Sequence, residues 1–240
     1  MGEAISPFDR LHAILDVLRQ ECPWDRVQTI ESLRYLTLEE VYELSDAILA
    51  QVGQGDDVSP EVAADNLKKE LGDLLMHILF YSKIAQDEHL FSFDDVCTAI
   101  CDKLVSRHPH IALPLSDGSI RPPLTSDHPG WEQVKMREGR KSVLEGVPSG
   151  LPALVKAIRL QEKAAGMGYQ EPDDIAAKTF LQDDAAPSAP IDATVAGDLL
   201  FSLVSWLRRQ GVNADEALSL ANERFVGRVR HWEQEHSQTL

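Results

Sequence analysis

The chain has 240 residues, 43% hydrophobic and 26% charged, enough to bury a sizeable core in one large domain or two small ones. Its formal net charge of -16 excludes a nucleic-acid duplex or an anionic membrane as the main partner, because both require a basic surface. A small anionic ligand stays open, since a bound metal and a few local basic residues can reverse the sign at one site.

The best apolar run, Leu74 to Tyr81, is interrupted by His77 and is too short to span a bilayer. The opening MGEAISPFDR lacks the basic-then-apolar order of a secretory signal. Cys22, Cys97 and Cys101 form no CxxC pair, and Cys97 and Cys101, one helical turn apart, read as core thiols. A reduced, cytoplasmic protein is expected.

Helix signals dominate. Ser6-Pro7-Phe8-Asp9 supplies a cap, a first-turn proline and an early acid, and Phe8, Leu11, Ile14, Leu15 and Leu18 then mark one face. Thr29 caps a second expected helix running to about Ala50. Ser59-Pro60-Glu61 opens a third, carried to about Glu88, and Ser92 to Asp95 opens a fourth ending near Arg107, before His108-Pro109. No alternating strand pattern appears. Trp24 is expected in the core, as is His77 with its ring hydrogen-bonded.

Proline, glycine and serine accumulate from Ala112 to Ser149, as in a linker, within which Trp131 to Lys135 has the pattern of a short helix. A second helical set follows from Leu151, broken by the loop-like stretch Asp183 to Ala193. The two halves look related: Gly72-Asp73-Leu74-Leu75 recurs as Gly197-Asp198-Leu199-Leu200, each expected to open an apolar helix. Lys103 and Arg107 have counterparts in Arg224 and Arg228. The expected fold is all-α, with tandem helical bundles over 1–111 and 150–240 joined by a linker over 112–149.

The informative feature is where the acids fall. In the second helix Leu33, Leu36, Glu40, Glu43 and Ala47 share one stripe, with Leu38, Val41, Leu44 and Ile48 beside it. In the third, Glu70 and Asp73 sit one turn apart among Leu67, Leu71, Leu74, Leu75 and Ile78. Uncompensated carboxylates on an inward face cost several kcal/mol and repel one another. A divalent cation removes both penalties, and all-oxygen ligands favour Mg²⁺, with Mn²⁺ as substitute, over Zn²⁺. One ExxE alone is common on solvated faces; two acid pairs on consecutive helices, both against apolar stripes, point to a metal site.

Leu38-Glu39-Glu40-Val41-Tyr42-Glu43 followed by Glu70-Leu71-Gly72-Asp73-Leu74-Leu75 resembles the EExxE…ExxD pattern of the MazG family of nucleoside triphosphate pyrophosphohydrolases. Cys22-Pro23-Trp24-Asp25 and the segment Asp102 to His110 are also similar to that family, as is the plan of two tandem helical domains. The resemblance implies hydrolysis of a nucleoside triphosphate to monophosphate and pyrophosphate, in nucleotide-pool housekeeping, by a homodimer. Glu40, Glu43, Glu70 and Asp73 would hold the metal, which neutralises the triphosphate and polarises the attacked phosphorus. Glu39 lies about 100° around the helix from Glu40 and suits an orienting or water-positioning role. Lys103 and Arg107, one turn apart, would grip phosphates, or else simply complement a helix C-terminus. Trp131 would stack on the base with Lys135 nearby, or else dock the linker onto the bundle.

The C-terminal half departs from the pattern. It has no EExxE, Val195 stands where Glu70 would recur, and of the acid set Asp198 alone remains, so a degenerate domain kept for packing or dimerisation is expected. Two other readings compete: a catalytically inactive helical interaction or dimerisation module, and a carboxylate-bridged di-iron protein. The second needs an ExxH on each of two helices, which this chain lacks.

Overall fold

The computed structural model describes residues 5–53, 58–126, 134, 136, 138–169 and 192–236, with side chains as far as 231. Their regular structure is helical apart from one short strand pair, in keeping with the all-α expectation. They divide into two compact units between Ser106 and Arg107.

In the first unit, α1 (Pro7–Glu21) starts where the Ser6 hydroxyl accepts from the Asp9 amide at 3.1 Å. α2 (Ile30–Gln51) is opened by a reciprocal box in which Thr29 Oγ1 accepts from Ser32 N and Ser32 Oγ accepts from Thr29 N. α3 (Pro60–Asp87) has Ser59 as cap and proline at its first position, and α4 (Phe93–Arg107) follows. α2 and α3 run antiparallel, because contacts climb one helix as they descend the other: Leu33 meets Phe80 and Ile84, Thr37 meets His77 and Tyr81, and Glu43 meets Glu70. Leu33, Phe80 and Ile84 form the core of this pair, flanked by Leu36, Met76 and Tyr81.

The segment between α1 and α2 includes a 3-10 turn (Asp25–Val27), across which Gln28 Nε2 donates to the Trp24 carbonyl at 3.0 Å. Arg19 Nη1 donates to the carbonyls of Asp25 (2.7 Å), Arg26 (3.1 Å) and Gln28 (2.9 Å), while its Nε donates to Asp87 at 2.9 Å. Trp24 is not a core residue as expected but 52% exposed, since backbone bonds to Arg19 fix the segment without its burial. The thiols also differ from expectation: Cys97 is half-buried and Cys101 exposed. α4 begins where Phe93 meets Phe8 at 5.5 Å, and its stretch from Thr98 to Leu104, with Ile100 and Cys101, is exposed before Arg107 is buried.

In the second unit, β1 (Leu113–Pro114) pairs antiparallel with β2 (Ile120–Arg121), the one strand element the sequence did not reveal. Two residues per strand are too few for alternation to register. α5 (Ala153–Gly166), α6 (Ala193–Arg209) and α7 (Ala214–His236) pack together around Ile158, Val204 and Ala214. Gln161 donates to the Phe201 carbonyl at 2.9 Å, and the buried Lys163 ammonium donates to the carbonyls of Val143 (2.9 Å) and Glu145 (3.1 Å). Gly72 lies in the middle of α3 and Gly197 one turn inside α6, so neither opens its helix as expected: the real starts are set by the caps at Ser59 and Asp192.

Ile84 is fully buried, whereas Val62 on the same helix is 48% exposed. Ile84→Ala is therefore expected to cost about 2–5 kcal/mol in urea unfolding, against roughly 0.5 kcal/mol or less for Val62→Ala. Equal costs would show that the α2–α3 seam is not what holds the first unit.

Candidate metal and phosphate site

The seam that buries Leu33 and Ile84 also dictates where the acids meet. Moving along α2 by helical steps from Leu33 leads through Thr37 to Glu40 and Glu43; moving back along α3 from Ile84 leads through Tyr81 and His77 to Asp73 and Glu70. Glu40, Glu43 and Glu70 each present a carboxylate oxygen, and these three oxygens lie within 4.8 Å of one another. Asp73, exposed on α3, stands outside that trio, yet its charge acts on both Glu40 and Glu43. Glu39, also exposed, bears on the same two residues.

The electrostatics are those of like charges held together. Desolvation first, and then the charges of Asp73, Glu43 and Glu70, push the Glu40 carboxyl above the usual glutamate range. Glu43 is raised as well, by desolvation among its neighbours and then by the charges of Glu70 and Glu39. Among the described residues no lysine or arginine is ion-paired with the trio; Lys69, next to Glu70 in sequence, is bonded instead to Asp65 at 2.7 Å.

The donor set fits a hard divalent cation on two observations. Glu70 Oε2 is buried without a hydrogen-bond partner, although a buried carboxylate oxygen ordinarily has one. The three facing oxygens are also close enough to share one ion, which would cancel the repulsion that raises Glu40.

The sequence reading left one part of this site in the core. His77 is buried, as expected, but its Nε2 looks toward Glu40 Oε1 at 3.9 Å while Nδ1 lies 2.8 Å from Thr37 Oγ1. Tyr81 OH is 2.7 Å from the same Thr37 oxygen. Burial holds His77 below its ordinary pKa, against the opposing charge of Asp73, so the ring is neutral at neutral pH. The available signal was the spacing: Thr37 precedes Glu40 by three residues, and His77 follows Asp73 by four.

The remaining expected residues are not brought to the trio by any described contact. Lys103 is exposed on α4. The Arg107 guanidinium is buried in a bidentate pair with Glu138, Nε to Oε1 at 2.8 Å and Nη2 to Oε2 at 2.6 Å. Trp131 and Lys135 lie outside the described residues. In the second unit Arg228 lies over the Phe225 ring at 5.7 Å, and both it and Arg224 are exposed.

Comparison with known proteins bears on this geometry. The profile of the MazG nucleotide pyrophosphohydrolase domain matches residues 28–112, a span that includes α2, α3 and α4. The nucleoside triphosphate pyrophosphohydrolase of Escherichia coli (strain K12) is 36% identical, with 95% of this chain and 88% of that protein covered. The nucleoside triphosphate pyrophosphohydrolase/pyrophosphatase MazG of Thermotoga maritima is 33% identical over 98% of this chain and 88% of that protein. The nucleoside triphosphate pyrophosphohydrolase of Mycolicibacterium smegmatis is 38% identical over 65% of this chain and 45% of its own length. With an acid trio at the heart of the matched span and relatives aligned along nearly its whole length, the chain belongs to the MazG family of nucleoside triphosphate pyrophosphohydrolases, metal-dependent hydrolases acting on acid anhydrides.

Proposed function

We propose that the chain converts nucleoside triphosphates to monophosphates and pyrophosphate at the Glu40–Glu43–Glu70 cluster, with Mg²⁺ as its cation and Mn²⁺ as substitute. The observation that carries this reading is the trio of carboxylate oxygens within 4.8 Å, with no lysine or arginine ion-paired to it among the described residues. The reaction is the one in the relatives' names. Glu40, Glu43 and Glu70 would hold the ion, joined by Asp73, which is one turn from Glu70. When bound, Mg²⁺ would supply neutralisation of the triphosphate and polarisation of the attacked phosphorus.

Each side chain then has a distinct task. Glu39, one step around α2 from Glu40, orients the site or positions the attacking water. Lys103 and Arg107 are assigned to the phosphates; for Arg107 this means exchanging the carboxylate of Glu138 for a phosphate, which offers the same bidentate geometry. Trp131 and Lys135 are assigned to the base and its surroundings.

The 150–240 half is read as a second MazG-like domain that has lost its acid set, with 1–111 as the catalytic domain and 112–149 as the linker. Leu38, Val41, Tyr42 and Ile48 on α2 and Leu71, Leu75 and Ile78 on α3 are all exposed, more apolar surface than two helices ordinarily leave in water. A homodimer burying these residues is the arrangement we favour. No helix among the described residues is long and apolar enough to cross a membrane, and a role in the cytoplasmic nucleotide pool fits that.

With Mg²⁺ the products are expected to be monophosphate and pyrophosphate, resolved by anion-exchange chromatography, and EDTA is expected to stop the reaction. Orthophosphate and a diphosphate would overturn the assignment. Glu43→Gln should abolish turnover yet raise the melting temperature in EDTA at neutral pH. The sign follows from the raised pKa: the contribution of Glu43 is fully present below its unfolded value and is lost as pH rises through the folded one, so the variant's advantage should shrink toward pH 4. Turnover at the wild-type rate would remove Glu43 from the site.

Asp198→Ala, Arg224→Ala and Arg228→Ala are expected to leave the rate within about twofold, while Asp73→Ala and Lys103→Ala lower it by roughly 10²-fold or more. Loss of activity in a folded Asp198→Ala protein would make the C-terminal half catalytic. Sedimentation equilibrium should return twice the 26.7 kDa chain mass; a monomer would rule out the dimer.

A further inference from the structure

The hydroxyl of Thr37 is the node of a small buried network between α2 and α3. Its oxygen lies 3.0 Å from the Leu33 carbonyl, 2.8 Å from His77 Nδ1 and 2.7 Å from Tyr81 OH. Thr37 has one proton to give and a carbonyl can only accept, so all three contacts are hydrogen bonds together only when that proton goes to Leu33. The two lone pairs of the hydroxyl are then left for Nδ1–H of His77 and O–H of Tyr81. This fixes the tautomer: in the neutral ring Nδ1 carries the proton and Nε2 carries a bare lone pair.

That lone pair looks into the acid cluster, 3.9 Å from Glu40 Oε1. Two acceptors at this distance cannot bond directly, and each needs a proton or a positive charge from a third group. A hydrated divalent cation supplies both, since Mg²⁺ and Mn²⁺ retain water whose protons are strongly polarised. We infer that Thr37 locks His77 as a proton acceptor for the water shell of the cation held by Glu40, which makes His77 and Thr37 positioning residues for metal binding. The inference rests on the metal reading above and adds to it a polar relay on the seam side of the cluster. Tyr81 completes the relay by occupying the last lone pair of Thr37, so the ring cannot tilt toward another acceptor.

The test is Mn²⁺ binding to the full chain, followed by the electron paramagnetic resonance signal of free Mn²⁺, with no nucleotide present. Thr37→Val keeps the shape of the side chain and removes the hydroxyl; it is expected to weaken Mn²⁺ binding about tenfold, as loss of an outer-sphere partner typically does. Thr37→Ser restores the hydroxyl and should bind as the wild type does. His77→Leu should weaken binding by a similar factor, and Thr37→Val combined with it should add nothing further. Circular dichroism and melting curves confirm that each variant is folded, and Thr37→Ala replaces Thr37→Val should the valine not fold. Unchanged binding in folded Thr37→Val, or losses that multiply in the double variant, would overturn the relay. A wild-type chain that binds no Mn²⁺ would instead overturn the metal reading itself.

Discussion

The structure of the first unit depends on apolar contact overcoming charge repulsion between the same two helices. Leu33, Phe80 and Ile84 close one end of the α2–α3 pair, and each contributes on the order of 1.5–3 kcal/mol by leaving water. Farther along, Glu40, Glu43 and Glu70 are brought within 4.8 Å. Two unit charges at that distance repel by about 1 kcal/mol at the dielectric constant of water and about 3–4 kcal/mol at an effective value of 20. The helices can tolerate this because protonation is available as relief, which is what the raised pKa values of Glu40 and Glu43 express. The cluster is thus held together by packing that does not itself involve the acids.

The same pairing explains why the polar relay sits where it does. Between the apolar end and the acid cluster the seam must change from oil to charge, and Thr37, His77 and Tyr81 occupy that transition. Each is hydrogen-bonded inside the seam at Thr37 Oγ1, and only Nε2 of His77 is left turned toward the acids. Among the described residues of the second unit, Ile158, Val204 and Ala214 form a core cluster, and polar side chains bond to backbone beside it. Lys163 fastens the Val143–Glu145 turn and Gln161 fastens α6. Among its described residues no acid trio of metal-holding geometry forms.

What the sequence determined by itself is local and periodic. Caps at Ser6, Thr29 and Ser59 carry the helix starts in residue types, and helical spacing puts Glu40 with Glu43, and Glu70 with Asp73, on single faces; neither needs knowledge of a neighbour. Net charge is likewise a sum over residues and needs no knowledge of the fold. What only the tertiary structure decided is pairing and exposure. Which of the four acids converge depends on the register of α2 against α3, and that register leaves Asp73 at the margin and turns one nitrogen of the buried His77 toward Glu40. Trp24 and Cys101 are exposed, although their types favour burial, because Arg19 bonds fix the segment around Trp24 and Cys101 falls in the exposed stretch Thr98 to Leu104 of α4. The commitment of Arg107 to Glu138 spans 31 residues, and no periodicity reports a contact across that distance. Short-range geometry is written in residue order, whereas the partner of a side chain is chosen by the whole packed chain.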